Sequence, residues 1–291
     1  MPPRIVVVRN PKSGSALDSS TLEQALRAGG INADILDMPG ENEFDRWIDR
    51  VAADHDVIAA AGGDGTVSAV AAGVARNGKT LAVIPTGTLN HFARDAGIST
   101  ELNEAIALLR TVSARGVDVG YVNDRFFLNN VSIGSYPRMV HARTELEDGG
   151  MSRRLAGVIA VAQTWWRLRS VSAAIGIDGL EVMRRSPFIV IGNGSYVLSG
   201  FALGQRDDLS ANLLSLYVAP RAGRLGSMSL PFRALLGRLE RYEQFETMSG
   251  REITIMLGRR KVFAGVDGEI EELDSPLRFR IHHNGLQVVR P

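Results

Sequence analysis

The chain has 291 residues, enough for one large domain or two ordinary ones. Its 45% hydrophobic and 22% charged residues suit a soluble globular protein with a buried core. A net charge of +1 gives no overall field for nucleic acid, and the lack of cysteine excludes disulfides and thiolate metal sites.

Met1-Pro2-Pro3-Arg4 runs directly into a strand-like segment without a signal-peptide core, so a cytoplasmic location is expected. Uninterrupted apolar runs fall far short of the roughly 20 residues of a membrane span, which leaves only peripheral membrane contact. Ile5–Val8 has the composition of a buried strand, broken by Asn10-Pro11-Lys12-Ser13-Gly14. Ser20 and Glu23 form a capping-box pattern for a helix bearing Leu22, Ala25 and Leu26, and Gly29-Gly30 stops it. A short strand at Ile35-Leu36 precedes a helix with Phe44, Trp47, Ile48 and Val51 on one face. The strand Val57–Ala61 then runs into Gly62-Gly63-Asp64-Gly65-Thr66. Val67, Val70, Ala71 and Val74 follow at helical spacing. Leu81–Ile84 is another strand, ended by Pro85-Thr86-Gly87-Thr88, and a helix over Glu101–Leu109 has Thr100 as its expected cap. Alternating strands and helices predict a parallel sheet covered by helices, whose ligands bind at the carboxyl ends of the strands. All three glycine-containing turns lie at such ends and are expected to converge.

After about residue 121 the rhythm changes. Val117–Val122 and Arg125–Asn130 flank Asn123-Asp124 as a hairpin, and Ser172–Ile177 and Leu180–Met183 flank Asp178-Gly179, a type I′ signal. Further strand-like runs follow to Leu286–Val289, interrupted by helical stretches near 153–169 and 230–240. The expected organisation is an α/β domain over 1–121 and an antiparallel β-sandwich over 122–291, with the last strand free to return to the first domain.

Glycines at 62, 63 and 65 admit positive φ and the close approach of a ligand, and the free N–H groups of the following helix favour an anion. Asp64 beside such a cradle calls for a metal, a hydroxyl or a cation in the same place. Gly73-Val74-Ala75-Arg76-Asn77-Gly78-Lys79-Thr80 formally matches a P-loop, but a P-loop needs a strand before and a helix after. Here the order is reversed, so Asn77-Gly78 is the end of a helix.

Taken in series, Asn10–Gly14, Gly62–Thr66, Pro85–Arg94 and the late Val266-Asp267-Gly268-Glu269 resemble the catalytic domain of the diacylglycerol kinase and sphingosine kinase family, the bacterial lipid kinases most of all. The resemblance covers nearly the whole chain. It implies an α/β nucleotide domain followed by a β-sandwich, with the active site in the cleft between them. It also implies transfer of the ATP γ-phosphate to a lipid hydroxyl with Mg²⁺. The nucleotide-binding residues would be Asn10, Ser13, Gly14, Gly62, Gly63, Asp64, Gly65, Thr66, Thr86, Gly87, Thr88 and Asn90. Asp64, Asp267 and Glu269 are the candidate catalytic acids, with Asp64 as a metal contact through Mg·ATP. If a strand continued through Gly268, Asp267 and Glu269 would share one of its faces. Residues alone do not separate the three acids as base, and the family likeness puts Glu269 first.

The chain departs from the family pattern in three places. Asn90-His91 stands where Asn-Asp is common, and Met38-Pro39 where many relatives have threonine. Ala211-Asn212-Leu213-Leu214-Ser215 replaces an Asp-Gly-x-Leu-Asp run linked to a structural metal, and Asp207 and Asp208 nearby are expected as loop acids. His282-His283 point to opposite faces of a strand and make a poor metal pair. Arg153–Arg169, with Trp165 and Trp166, suits either core packing or contact with the membrane that holds a lipid substrate. A homodimer is left open. Two rivals stand beside the lipid kinase: an NAD kinase-like enzyme, which also uses a Gly-Gly-Asp-Gly turn, and a nucleotide-binding regulator without catalysis.

Overall fold

A computed structural model describes residues 2–11, 17–134, 170–199, 202–206, 208–219 and 245–291. The expected helical stretches near 153–169 and 230–240 lie outside them, as do Ser13, Gly14 and Asp207. The chain divides into two compact units: Met1–Val119 with Asp207–Ala211 and His282–Pro291, and Gly120–Arg206 with Asn212–Ile281.

The first unit is built from β1 (Ile5–Arg9), α1 (Ser19–Ala28), β2 (Ala33–Asp37), α2 (Glu41–Asp54), β3 (Val57–Gly62), α3 (Asp64–Arg76), β4 (Thr80–Pro85), α4 (His91–Asp95) and α5 (Leu102–Leu108). Its strands are parallel in the order β2-β1-β3-β4. Gln287 and Val288, near the end of the last strand, lie parallel beside Thr80 and Leu81 of β4. Every residue of β3 is buried, as expected for a central strand of a sheet covered on both faces. Val7, Ala59 and Ile84 from the sheet pack with Leu22, Leu26 and Ile106 from α1 and α5 in one core.

Two helix starts differ from the sequence expectation. Asp18, not Ser20, caps α1. Its carboxylate accepts from Thr21 N at 2.8 Å and from the Ser20 and Thr21 hydroxyls at 2.6 and 2.7 Å. An ionised acceptor with three donors outcompetes a neutral hydroxyl. Those bonds, Ser20 foremost, hold the Asp18 carboxyl far below the usual range. At α5 the cap position is Glu101, whose N–H donates to Ser99 Oγ at 3.1 Å, and Thr100 does not cap it.

Beyond α5 the chain continues from β5 (Ala114–Val122) into β6 (Arg125–Phe127), β7 (Asn130–Gly134), β8 (Val171–Ile177), β9 (Leu180–Ser186), β10 (Phe188–Asn193), β11 (Tyr196–Ser199), β12 (Ala202–Arg206), β13 (Leu214–Val218), β14 (Glu246–Gly250), β15 (Glu252–Leu257), β16 (Lys261–Val266), β17 (Glu269–Asp274) and β18 (Leu277–Val289), all in the second unit except β5 up to Val119 and β18 from His282 on. One antiparallel sheet has the order β14-β13-β10-β7-β16-β17. In the other, the first residues of β18 pair with β15, β15 with β8, and β8 with β9. Val131, Ile133, Ile191 and Leu216 from the first meet Ile175, Ile253, Ile255 and Phe279 from the second in a shared core, which makes this unit a sandwich.

Asp178 and Gly179 both have positive φ (45° and 91°), the expected type I′ geometry. So do Asp267 and Gly268 (48° and 95°), where an extended strand was envisaged. They are the two central residues of a hairpin turn, and Val266 pairs with Glu269 across it. Asp267 and Glu269 therefore do not share a strand face. No helix among the described residues is long and apolar enough to cross a membrane.

Candidate functional site

Parallel register sets Arg9 beside Ala61 and Gly62 beside Pro85, so β1, β3 and β4 end at one edge and the turns after them leave from it together. Asn10 Nδ2 donates to Thr66 Oγ1 at 3.3 Å, which joins the first turn to the second. Thr86 N donates to Gly62 O at 3.1 Å, which joins the third to the second. A Cβ on Gly87 would lie 2.5 Å from Gly63 Cα, so the two backbones touch where neither has a side chain. None of Gly62, Gly63, Gly65 or Gly87 has positive φ. Glycine is required here for close approach, not for the left-handed conformation that the sequence equally allowed.

Gly63 is the N-cap of α3 and supplies no side chain, which leaves the first-turn N–H groups to the turn edge. Thr66 is buried on that first turn. Asn90, buried with φ 50° and ψ 46°, closes the third turn by donating its Nδ2 to Gly87 O at 2.7 Å. Thr86 Oγ1 is buried and has no hydrogen-bond partner among the described residues. Asp64 opens α3, half-buried, and its Oδ1 accepts from Phe92 N at 3.4 Å, at the start of α4. Gly65 and Thr88 are exposed. The structure thus brings Asn10, Gly62, Gly63, Asp64, Thr66, Thr86, Gly87 and Asn90 together. Beside them, Arg9 makes a two-pronged bond to Asp37, 2.7 and 2.8 Å, and holds its carboxyl below the usual range.

In the sandwich unit, Asp267 is committed to backbone. Its carboxylate accepts from the N–H groups of Leu128, Asn129 and Asn130 at 2.7, 2.8 and 3.1 Å. Glu269 follows the turn as the exposed first residue of β17. A residue that the sequence did not single out is Arg206, only 3% exposed and bonded to the same Leu128–Asn129 stretch. It lies in the run Gln205-Arg206-Asp207-Asp208, which has the pattern of a solvated loop and carries no signal of burial.

Nothing among the described residues groups three His, Cys, Asp or Glu as a metal site would. In the run 211–215, the buried Ser215 hydroxyl meets those of Ser195 and Ser249 at 3.2 and 3.4 Å, and Asp208 caps its own loop by accepting from Ser210 N at 2.7 Å. This donor set does not suit a structural cation. Mg²⁺ carried by a nucleotide needs only one or two carboxylates besides phosphate oxygens, and Asp64 fits that demand. His283 Nδ1 lies 2.8 Å from Oδ1 of the buried Asp118, so its ring is fixed by an acid rather than offered with His282 to a metal.

An α/β unit with glycine turns at its strand ends and an antiparallel sandwich unit define the fold class. A solved structure described as a diacylglycerol kinase from Bacillus anthracis str. Sterne shares it, with a TM-score of 0.71 at 22% identity, covering 99% of this chain and 97% of that one. Residues 4–122 match the diacylglycerol kinase catalytic domain, and residues 140–290 match the YegS C-terminal NAD kinase beta sandwich-like domain. The chain belongs to this family of YegS- and diacylglycerol kinase-like lipid kinases. A relative from Stenotrophomonas maltophilia (strain K279a), named "Probable lipid kinase YegS-like", is 28% identical over 92% of this chain and 90% of its own. One of the same name from Pseudomonas aeruginosa PAO1 is 34% identical over 62% of this chain and 61% of its own. A "Diacylglycerol kinase" from Staphylococcus haemolyticus (strain JCSC1435) is 35% identical over 42% and 39%.

Proposed function

We propose that the protein is an ATP-dependent lipid kinase that transfers the γ-phosphate of ATP to a lipid hydroxyl, with diacylglycerol or a sphingoid base as the acceptor. The observation that carries this reading is the contact of Gly63 with Gly87 beside the uncapped start of α3. Two turns that meet at glycines, and first-turn N–H groups without a side-chain cap among the described residues, make a seat for a polyphosphate. The buried Thr86 hydroxyl supplies one further polar group without a partner among the described residues. The names of the relatives favour a lipid over NAD as acceptor.

In this reading Asn10, Ser13, Gly14, Gly62, Gly63, Gly65, Thr66, Thr86, Gly87, Thr88 and Asn90 bind the nucleotide. Asp64 holds Mg²⁺ jointly with the phosphates. The ion, when bound, offsets the charge that builds on the transferring group. Glu269 takes the proton from the acceptor hydroxyl as its oxygen bonds to the γ-phosphorus and the bond to the departing ADP breaks. Asp267, bonded to three N–H groups, holds the turn that precedes Glu269 instead of taking the proton. The acceptor comes from a bilayer, so the protein, cytoplasmic in this reading, works at a membrane surface, and Arg153–Arg169 is the segment to test for that contact.

The test is purified protein with Mg²⁺ and γ-labelled ATP, offered diacylglycerol, sphingosine, ceramide and phosphatidylglycerol in mixed micelles, with NAD in a parallel reaction. Label on a lipid is expected. Label on NAD, or nucleotide binding without transfer to any acceptor, would sink the reading.

A further inference from the structure

In the sandwich unit, a short turn carries charge at both of its ends. Leu128 and Asn129 join β6 to β7, and the N–H groups of Leu128, Asn129 and Asn130 all donate to the Asp267 carboxylate. The oxygens of the same peptide groups point to a second set of partners. Leu128 O accepts from Arg206 Nη1 and from Asn193 Nδ2, each at 2.9 Å. Asn129 O accepts from Tyr196 Oη at 2.9 Å and from Asn193 N at 2.8 Å. The Leu128–Asn129 peptide group is therefore bonded to a guanidinium through its oxygen and to a carboxylate through its nitrogen.

Arg206 is itself fixed. Its Nη1 also donates to Asn193 O at 3.1 Å, its Nη2 donates to Asn129 Oδ1 at 3.0 Å, and its Cζ lies 5.4 Å from the centre of the Tyr196 ring. Burying a guanidinium is costly unless its donors are matched, and here two of its bonds go to the turn and one to Asn193 O. A cation on a carbonyl polarises the peptide group and strengthens its N–H as a donor, so the bonds at the two ends reinforce each other. Asp267 closes the arrangement by donating its own N–H to Asn130 O at 2.9 Å.

We propose that Arg206 is a positioning residue for Glu269, acting through the 128–130 turn and Asp267. The proposal rests on the reading of Glu269 as the base. Asp267 and Gly268 are the two central residues of a tight hairpin, and Glu269 is the next residue. Whatever orients Asp267 sets the start of β17. A base displaced by about 1 Å loses on the order of 10²-fold in rate.

Two readouts on the full chain test this, one structural and one kinetic. In Arg206→Gln, amide hydrogen exchange at Leu128, Asn129 and Asn130 should speed up as it does in Asp267→Asn. The turnover number per folded molecule should fall by about 10- to 100-fold, with KM for ATP within about twofold of the parent. Arg206→Lys, which keeps the charge and one or two of the donors, should recover part of both. If Arg206→Gln does not fold, Tyr196→Phe removes one oxygen partner from the turn and should show the same pair of changes at smaller size. Unchanged exchange at the three amides overturns the proposal. So does a lower melting temperature with unchanged turnover per folded molecule, which would reduce Arg206 to a packing group. Glu269→Gln is run beside them: full turnover there removes the base assignment, while the exchange data still decide whether Arg206 and Asp267 act on one turn.

Discussion

At the scale of single residues, the two acids to which the proposal gives chemistry have different surroundings. Asp64 is tied loosely to Phe92 N at 3.4 Å, and Glu269 is exposed at the head of β17. Asp64→Asn and Glu269→Gln should each lower turnover by at least about 10²-fold in the lipid assay, the low end for a lost general base. Near-parent turnover in both would remove the site. Gly87→Ala tests the contact of the turns, because the added Cβ would meet Gly63 Cα at 2.5 Å and Asn90 Oδ1 at 2.8 Å. It should cost about 1–3 kcal/mol by urea unfolding, the range for overpacking, and weaken ATP binding by calorimetry. Lys79→Ala is the matching control. Gly78 has φ 61° and ends the segment after α3, so Lys79 follows a helix instead of opening one, and ATP affinity should stay as it is.

At the scale of elements, the Arg9–Asp37 pair fastens the end of β1 to the end of β2, next to Asn10. Hydrogen bonding from Arg9 lowers the Asp37 carboxyl and raises the Arg9 guanidinium, so the two partners agree. A carboxyl depressed in the folded state stabilises the fold above its unfolded value of about 4, and the benefit is lost as the pH falls through the lower folded value. The Asp37 side chain is 51% exposed, which keeps the effect modest. Asp37→Asn should therefore lower the urea midpoint at pH 7, and the gap to the parent should shrink as the pH drops from about 5 toward 2. A gap that stays constant over that range would mean that the pair contributes nothing through charge. The α1 cap illustrates the same physics in a local setting: Asp18 displaces Ser20 because an ionised oxygen gathers Ser20 and Thr21 as donors.

At the scale of the whole molecule, a nucleotide that binds only the folded chain must raise its apparent stability by mass action. Mg·ATP should raise the melting temperature and slow amide exchange at Asn10 and over residues 62–66 and 86–90. A chelator alone should leave the melting temperature unchanged, since Ser215 spends its hydroxyl on Ser195 and Ser249 instead of a cation. A drop in melting temperature with chelator would reveal a structural metal after all.

The parallel sheet, the glycine turns at its strand ends and the type I′ hairpin at Asp178-Gly179 were legible from the amino-acid sequence, because each depends on neighbours a few residues apart. The reversed order of helix and strand around Lys79 was legible for the same reason. What Asp267 does was not. Its three N–H partners lie 137 to 139 positions away in the chain, and no local pattern distinguishes a carboxylate that pins a remote turn from one that takes a proton. Arg206 was hidden in the same way, its loop-like neighbours masking a burial that distant carbonyls make tolerable. Short-range periodicity specifies where strands and turns fall, whereas the partner of a buried charge is chosen only when remote segments pack together.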